Sequence, residues 1–362
     1  MLATRTVLAF LALSGAGGTE IVQLKAPAPD VRYRAPQLAS SRGLVALTFG
    51  AANSVYVATS TNQGQSFSKP VKVAEAGILP LTRHRGPRIV ITRGAIVVSA
   101  VTGETLATGP HAHGLPSDGD LFAWRSTDGG KSWSKGGRIN DVPGASREGL
   151  HTLTGDEKGN LFAAWLDLRK AGTRLYGAFS SDAGATWSAN ALIYESPDGT
   201  ICQCCHPSAA YAEDGSVHVM WRNCLNGERD MYLVRGIGRS FGKAEKLGNG
   251  SWKITACPMD GGGLARAGSR IMTAWRRGEE VFLAEPGQPE ARIGEGKDAA
   301  LTVAEGRTYV VWIKGTQLES WVSGKHDVLA SKAAFPSLTP LPSGGVLVAW
   351  EADEAISLRR LR

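Results

Sequence analysis

Beyond its N-terminal segment, the 362-residue chain has no hydrophobic run approaching the roughly 18 residues needed to cross a bilayer, so no membrane span is expected. Charge is sparse, with Asp, Glu, Lys and Arg together making 20% of the residues. No basic run carries interleaved aromatics, which excludes nucleic acid as the expected partner. The net charge of +7 is a mild excess that suits a pocket for a carboxylate, sulfate or phosphate. Cysteine is scarce at five residues, and none falls in a strand-like segment. Glycine is abundant instead: 45 glycines and 17 prolines exclude a helical bundle or a coiled coil. With 43% apolar residues the chain can bury a large core.

The first residues, MLATRTVLAFLALSGAGGTE, place Arg5 before an apolar stretch and then small residues, the pattern of a secretory signal cleaved near Gly17 or Gly18. The expected organisation is a signal peptide over 1–18 and one domain over 19–362. No cysteine follows the apolar stretch, so a lipid anchor is not expected. The mature protein is expected in the periplasm or secreted, where thiols meet oxidants.

Self-similarity sets the fold. Gly43, Gly94, Gly159, Gly215, Gly268, Gly306 and Gly345 each lie between two short β-type runs, at spacings of 38 to 65 residues. Five of the following runs end in a tryptophan: Trp165, Trp221, Trp275, Trp312 and Trp350. Period-two alternation, Val/Ile/aromatic enrichment and glycine turns specify hairpins, and a repeat of this length in an all-β chain indicates a β-propeller with one four-stranded antiparallel blade per repeat. Seven units are countable, with six blades as the alternative if one hairpin is an insertion. The last unit lacks a fourth strand, which the N-terminal TEIVQLKA can supply to close the ring. The strand-end tryptophans are expected to pack between blades.

A second signature, S-x-[DN]-x-G-x-x-[FW], occurs three times, as STNQGQSF (60–67), STDGGKSW (126–133) and SSDAGATW (180–187). Asn62, Asp128 and Asp182 can accept bonds from turn amides, while Gly64, Gly130 and Gly184 can take positive φ. A degenerate fourth copy, RGIGRSF (235–241), keeps the aromatic and loses the acid. These motifs resemble Asp boxes (BNR repeats), and the chain resembles the sialidase-like propeller superfamily over its mature length. The resemblance implies the fold more than an activity, because Asp boxes lie away from that family's active site.

In such a propeller, the loops leading into each innermost strand converge on the channel mouth, a usual place for ligands. Repeat position puts Arg34, His84, Arg85, Arg88, Arg147, Glu148, His151, His206, Asp260, Lys297 and Asp298 there. HAHG (111–114) and NCLNGERD (223–230) belong to the same face. Asp167 and Arg169 are expected to form a local surface pair. A protein partner on this face is a further expectation of the pattern.

All five cysteines fall in loops of two neighbouring repeats on that face. One reading is disulfides stapling blades four and five. A second is a copper or zinc site built from Cys202, Cys204, Cys205, His206 and Cys257, with Cys224, Met259, His111 and His113 as secondary candidates. A third is a redox-active thiol set.

For activity, Tyr33-Arg34-Ala35-Pro36 is similar to the sialidase Y-R-I-P motif, which implies that Arg34 binds a substrate carboxylate, with Arg147, Arg222 and Arg276 as candidates to complete an arginine triad. Alanine stands where the motif has isoleucine. The implied late tyrosine nucleophile is not found: after Trp275 the one tyrosine is Tyr309, inside a strand pattern. Retaining sialidase turnover is therefore not expected. Glu148, Asp260 and Asp298 remain as candidate carboxylates for another glycosidase, and Arg34, Arg85 and Arg147 as the candidate anion-binding set. The reading is a binding or metal-handling propeller, with a glycoside hydrolase or acidic-glycan binder, and a disulfide-stapled interaction module, as the alternatives.

Overall fold

The computed structural model describes residues 20–28, 31–109 and 112–362, so the expected signal segment and His111 lie outside the described residues. Seven antiparallel sheets stand in a ring, which settles the blade count at seven. The innermost strands, in ring order, are Arg34–Ser41, Arg88–Ile91, His151–Gly155, Ser208–Tyr211, Gly263–Ala267, Lys297–Ala304 and Ala334–Pro340. Each packs beside its neighbours, and the seventh meets the first. Closure occurs as the N-terminal segment suggests: Val22–Lys25 pairs antiparallel with Ala355–Leu361 and completes blade 7.

The second strand of each blade explains the apolar runs. In Ile96–Thr102 and Leu161–Asp167 every residue is buried, because adjacent blades cover both faces of the sheet. Trp165, Trp221, Trp275, Trp312 and Trp350 are buried in this inter-blade packing. Transfer of such large rings out of water is the main favourable term holding one blade to the next. Asp167 corrects one expectation. It does pair with Arg169, at 2.8 Å, but it is buried and also accepts the Trp165 indole N–H at 2.8 Å.

The three S-x-[DN]-x-G-x-x-[FW] segments form one turn. The serine hydroxyl accepts the glycine N–H at 2.9, 2.8 and 2.9 Å in Ser60–Gly64, Ser126–Gly130 and Ser180–Gly184. Asn62, Asp128 and Asp182 accept the N–H four residues on, at 3.0, 3.0 and 2.9 Å. The three glycines have φ of 80°, 90° and 82° and face the previous blade, Gly64 against Leu347 and Gly184 against Val97, so the turn clips one blade to the next. Asn62 makes the acceptor contact without a charge, which yields a prediction. Asp128→Ala is expected to lower the calorimetric melting temperature by a few degrees, and Asp128→Asn to recover most of it; equal loss in both would show that the charge matters more than the bond. The degenerate copy has become a tight turn at Gly238 that pairs Ile237 with Ser240, and blade 4 carries an extra short strand, Glu245–Lys246.

Candidate site at the channel mouth

A cavity of about 780 Å³ runs along the propeller axis, lined by all seven innermost strands. At its mouth the loop before Arg88–Ile91 carries Arg83 and His84 from blade 2 across the opening to Asp298 of blade 6. His84, at φ 56°, places Nε2 2.8 Å from Asp298 Oδ1 of blade 6. Its ring stacks on His206 of blade 4 at 4.1 Å and meets Phe335 of blade 7 edge-on at 6.3 Å. Arg83 donates to the same Asp298 oxygen from Nε at 3.0 Å and Nη2 at 2.7 Å.

Asp298 can point there because its backbone bulges. Lys297 pairs with Ile313 and Ala300 with Val311, so Asp298 and Ala299 together face Trp312. Asp298 takes φ 60°, and Asp260 of blade 5 fixes that turn by accepting the Asp298 N–H at 2.8 Å and the Gly262 N–H at 3.3 Å. Asp260 is fully buried, so it acts as a brace for Asp298. An oxygen of each carboxylate and a nitrogen of His84 lie within 4.8 Å of one another.

The charges follow from burial and partners. Burial by itself raises the Asp298 carboxyl, but the His84 bond and the Arg83 guanidinium outweigh it and hold the group well below the usual carboxylate range. Burial, with His84 and Arg88 adding repulsion, keeps His206 neutral well below the ordinary imidazole value. Arg88 is brought down to about 10 by burial. Its guanidinium donates to the carbonyls of Gly86, Pro87 and His84 at 3.3, 3.1 and 2.6 Å, and among the described residues no carboxylate pairs with it. A cation thus lies unneutralised beneath the mouth.

The remaining candidates are dispersed. Arg34 is paired with Glu351 at 2.8 Å. Arg85 donates to the Glu148 carbonyl at 2.6 Å and faces its carboxylate at 3.5 Å, while burial raises the Glu148 carboxyl despite Arg85 and Arg147. Arg147 donates to Gly144 O at 3.3 Å. Arg222 is buried and donates to the carbonyls of Asp260, Arg229 and Arg276 at 2.9, 2.7 and 2.8 Å. Arg276 pairs with Glu279 at 2.9 Å. Each of these arginines is held by a partner in its own loop or the neighbouring blade. Tyr309 is buried in the core, away from any nucleophilic role.

The cysteines divide. Cys204 and Cys257 form a disulfide between blades 4 and 5. Cys202 and Cys205 are buried thiols with their sulfurs 3.0 Å apart, and Cys224 is a third free thiol outside that cluster. The bond from Cys205 brings Cys202 down to about 6, and burial pushes Cys205 up. Of the five-residue set read from the sequence, Cys204 and Cys257 are bridged and His206 bonds Gly262 O at 3.1 Å, while the sulfurs of Cys202, Cys204 and Cys205 lie within 4.8 Å of one another. Met259, at φ 54°, precedes the buried Asp260, and His113 lies exposed in its loop beside Glu148.

Sequence reading put His84 and Asp298 on the right face but gave Arg83 no role and did not join His84 to Asp298. Their partnership spans the channel, and the sequence signal nearest to it is the run Arg83-His84-Arg85 between Pro80 and Pro87.

No protein-family model matches the chain, and no curated protein matches it. Solved structures do. A polysaccharide lyase, a PL25 ulvan lyase bound to -[GlcA(1-4)Rha3S]-, aligns at TM-score 0.58 and 12% identity over 93% of this chain and 95% of its own. The fold is that of the sialidase-like propellers. A leech intramolecular trans-sialidase aligns at TM-score 0.56 and 12% identity over 93% of this chain and 69% of its own. The GH93 α-L-arabinofuranosidase of Fusarium graminearum aligns at 0.53 and 12% over 94% and 97%. At these identities the likeness establishes the sialidase-like fold and not an activity.

Proposed function

We propose that this sialidase-like propeller binds an acidic saccharide at the channel mouth, with a uronate or sulfate of the ligand drawn to Arg83 above the unneutralised Arg88. The observation that carries the reading is the blade 2 loop, which lines a cavity of about 780 Å³ with His84, Arg85 and Arg88 and pairs Arg83 with Asp298 of the cavity wall. Arg83 is partly exposed and spends its bonds on one Asp298 oxygen, leaving that cation able to share a ligand anion. The ulvan lyase of the same fold is bound to a glucuronate-containing repeat, the ligand class this mouth would take. A second reading, a glycan-cleaving enzyme, draws on His84, whose Nε2 faces a carboxylate in the arrangement that orients a proton-transferring imidazole.

The test is calorimetric titration with glucuronate-containing oligosaccharides against neutral ones of equal length. Binding of the acidic series alone, weakened about tenfold by Arg83→Ala in protein that is still folded at the titration temperature, is the expected result. Equal affinity for neutral sugars, or none for either, would sink the proposal. Reducing-end release from the same oligosaccharides, lost in His84→Ala, would establish the enzymatic reading. A fluorogenic sialoside is not expected to turn over.

A further inference from the structure

Between blades 4 and 5 the four clustered cysteines are graded in exposure. Cys257 is exposed, its partner Cys204 is half-buried, and Cys202 and Cys205 lie buried behind the bridge. The sulfurs form a contact chain: Cys202 to Cys205 at 3.0 Å, Cys202 to Cys204 at 3.6 Å and Cys204 to Cys205 at 4.0 Å. A thiol at van der Waals contact with a disulfide sulfur is placed for exchange, and two thiols three residues apart close readily into a bridge of their own.

We propose that Cys202, Cys204, Cys205 and Cys257 form a two-electron thiol–disulfide relay, in which the exposed Cys204–Cys257 bridge exchanges with the buried Cys202/Cys205 pair. In the first step the Cys202 sulfur, its proton lost to water, attacks Cys204 Sγ. A Cys202–Cys204 bond forms, the Cys204–Cys257 bond breaks, and Cys257 leaves with the electron pair and takes up a proton. In the second step the deprotonated Cys205 attacks Cys202 Sγ, forming Cys202–Cys205 and releasing Cys204, which is protonated in turn. Two electrons and two protons pass from the inner pair to the outer one, and no outside oxidant or reductant is consumed. A thiol or disulfide in solution meets the relay at Cys257.

The exchange bears on the mouth. Cys205 precedes His206, the ring stacked on His84, and its sulfur accepts the backbone N–H of Asp260, the brace of Asp298. Moving the bridge inward unties blade 5 from blade 4 beside these residues. The relay does not depend on which ligand the mouth holds.

The test uses the mature chain with Cys224→Ser, equilibrated in a glutathione buffer poised to leave one bridge per molecule, quenched in acid and blocked with N-ethylmaleimide. Trypsin releases Cys202, Cys204 and Cys205 on one peptide, residues 175–222, and Cys257 on another, residues 254–266. The outer bridge therefore cross-links two peptides, whereas the inner one closes a loop within the first. The relay predicts both isomers, neither below about one molecule in ten, at the same ratio from the oxidised or the reduced side. It further predicts that adding Cys205→Ser stops exchange at the Cys202–Cys204 loop with Cys257 blocked. A one-bridge population that is entirely cross-linked would overturn it, as would stoichiometric copper or zinc held on Cys202 and Cys205 in the purified protein.

Discussion

Arg222→Met is expected to cost about 3 to 6 kcal/mol, enough to bring a domain of ordinary stability close to unfolding. Methionine keeps the apolar stem and removes the guanidinium, so the loss reports the polar contacts. Three carbonyl oxygens, of Asp260, Arg229 and Arg276, then lose donors at 2.9, 2.7 and 2.8 Å in a place where the side chain is 1% exposed. An acceptor left without its donor costs about 1–3 kcal/mol when buried, and less at the half-buried carbonyls of Arg229 and Arg276. Two of the three belong to blade 5, so Arg222 is a polar staple beside the Cys204–Cys257 bridge. The control is Arg235→Met, whose pair with Asp214 is half exposed and is worth less than about 1 kcal/mol. Urea midpoints measure both. If Arg222→Met shifts the midpoint no more than Arg235→Met does, the guanidinium is not a staple and a ligand-binding role regains ground.

Arg222 also shows where sequence reading stops. The resemblance offered Arg222, with Arg147 and Arg276, as a candidate to complete a carboxylate-binding triad. What the sequence does not carry is the partner list. Repeat register tells which face a residue occupies, because the alternation and turn glycines are local. It does not tell which blade answers it across the ring, because that depends on closure of all seven blades.

The same division runs through the rest of the chain. The blade count, the closing strand Val22–Lys25 and the three clipped turns were legible, since each rests on short-range patterns of glycine, tryptophan and β-branched residues. The segregation of the cysteines to two neighbouring blades was legible for the same reason. Their division into a Cys204–Cys257 bridge and a Cys202/Cys205 pair was not, because it turns on distances of 3.0 to 4.0 Å within one loop. Nor was the reach of His84 to Asp298, on which the candidate site depends, visible without the ring.

Acid should destabilise the propeller one histidine at a time, and His151 gives the clearest case. It begins the innermost strand of blade 3, is fully buried, and has Nε2 2.9 Å from the Ser99 hydroxyl. Burial, with Arg88 nearby, lowers its pKa to about 3, against about 6.5 in the unfolded chain. Between these values the unfolded state binds one more proton, so stability is whole above pH 6.5 and falls as the pH drops. The slope is about 1.4 kcal/mol per pH unit per proton, so this residue alone removes about 3 kcal/mol by pH 4.5. His206 acts with the same sign. Glu148 and Glu351, raised by burial, act against it just above their unfolded values, while depressed Asp298 adds its own loss only below about pH 4. The difference between wild type and His151→Asn cancels those contributions. Denaturant midpoints from pH 7.5 to 4.5 should therefore show a wild-type slope steeper than the variant's by about one proton. Parallel slopes would mean that His151 is protonated in the folded state and that Ser99 and Arg88 do not enclose it as the fold requires.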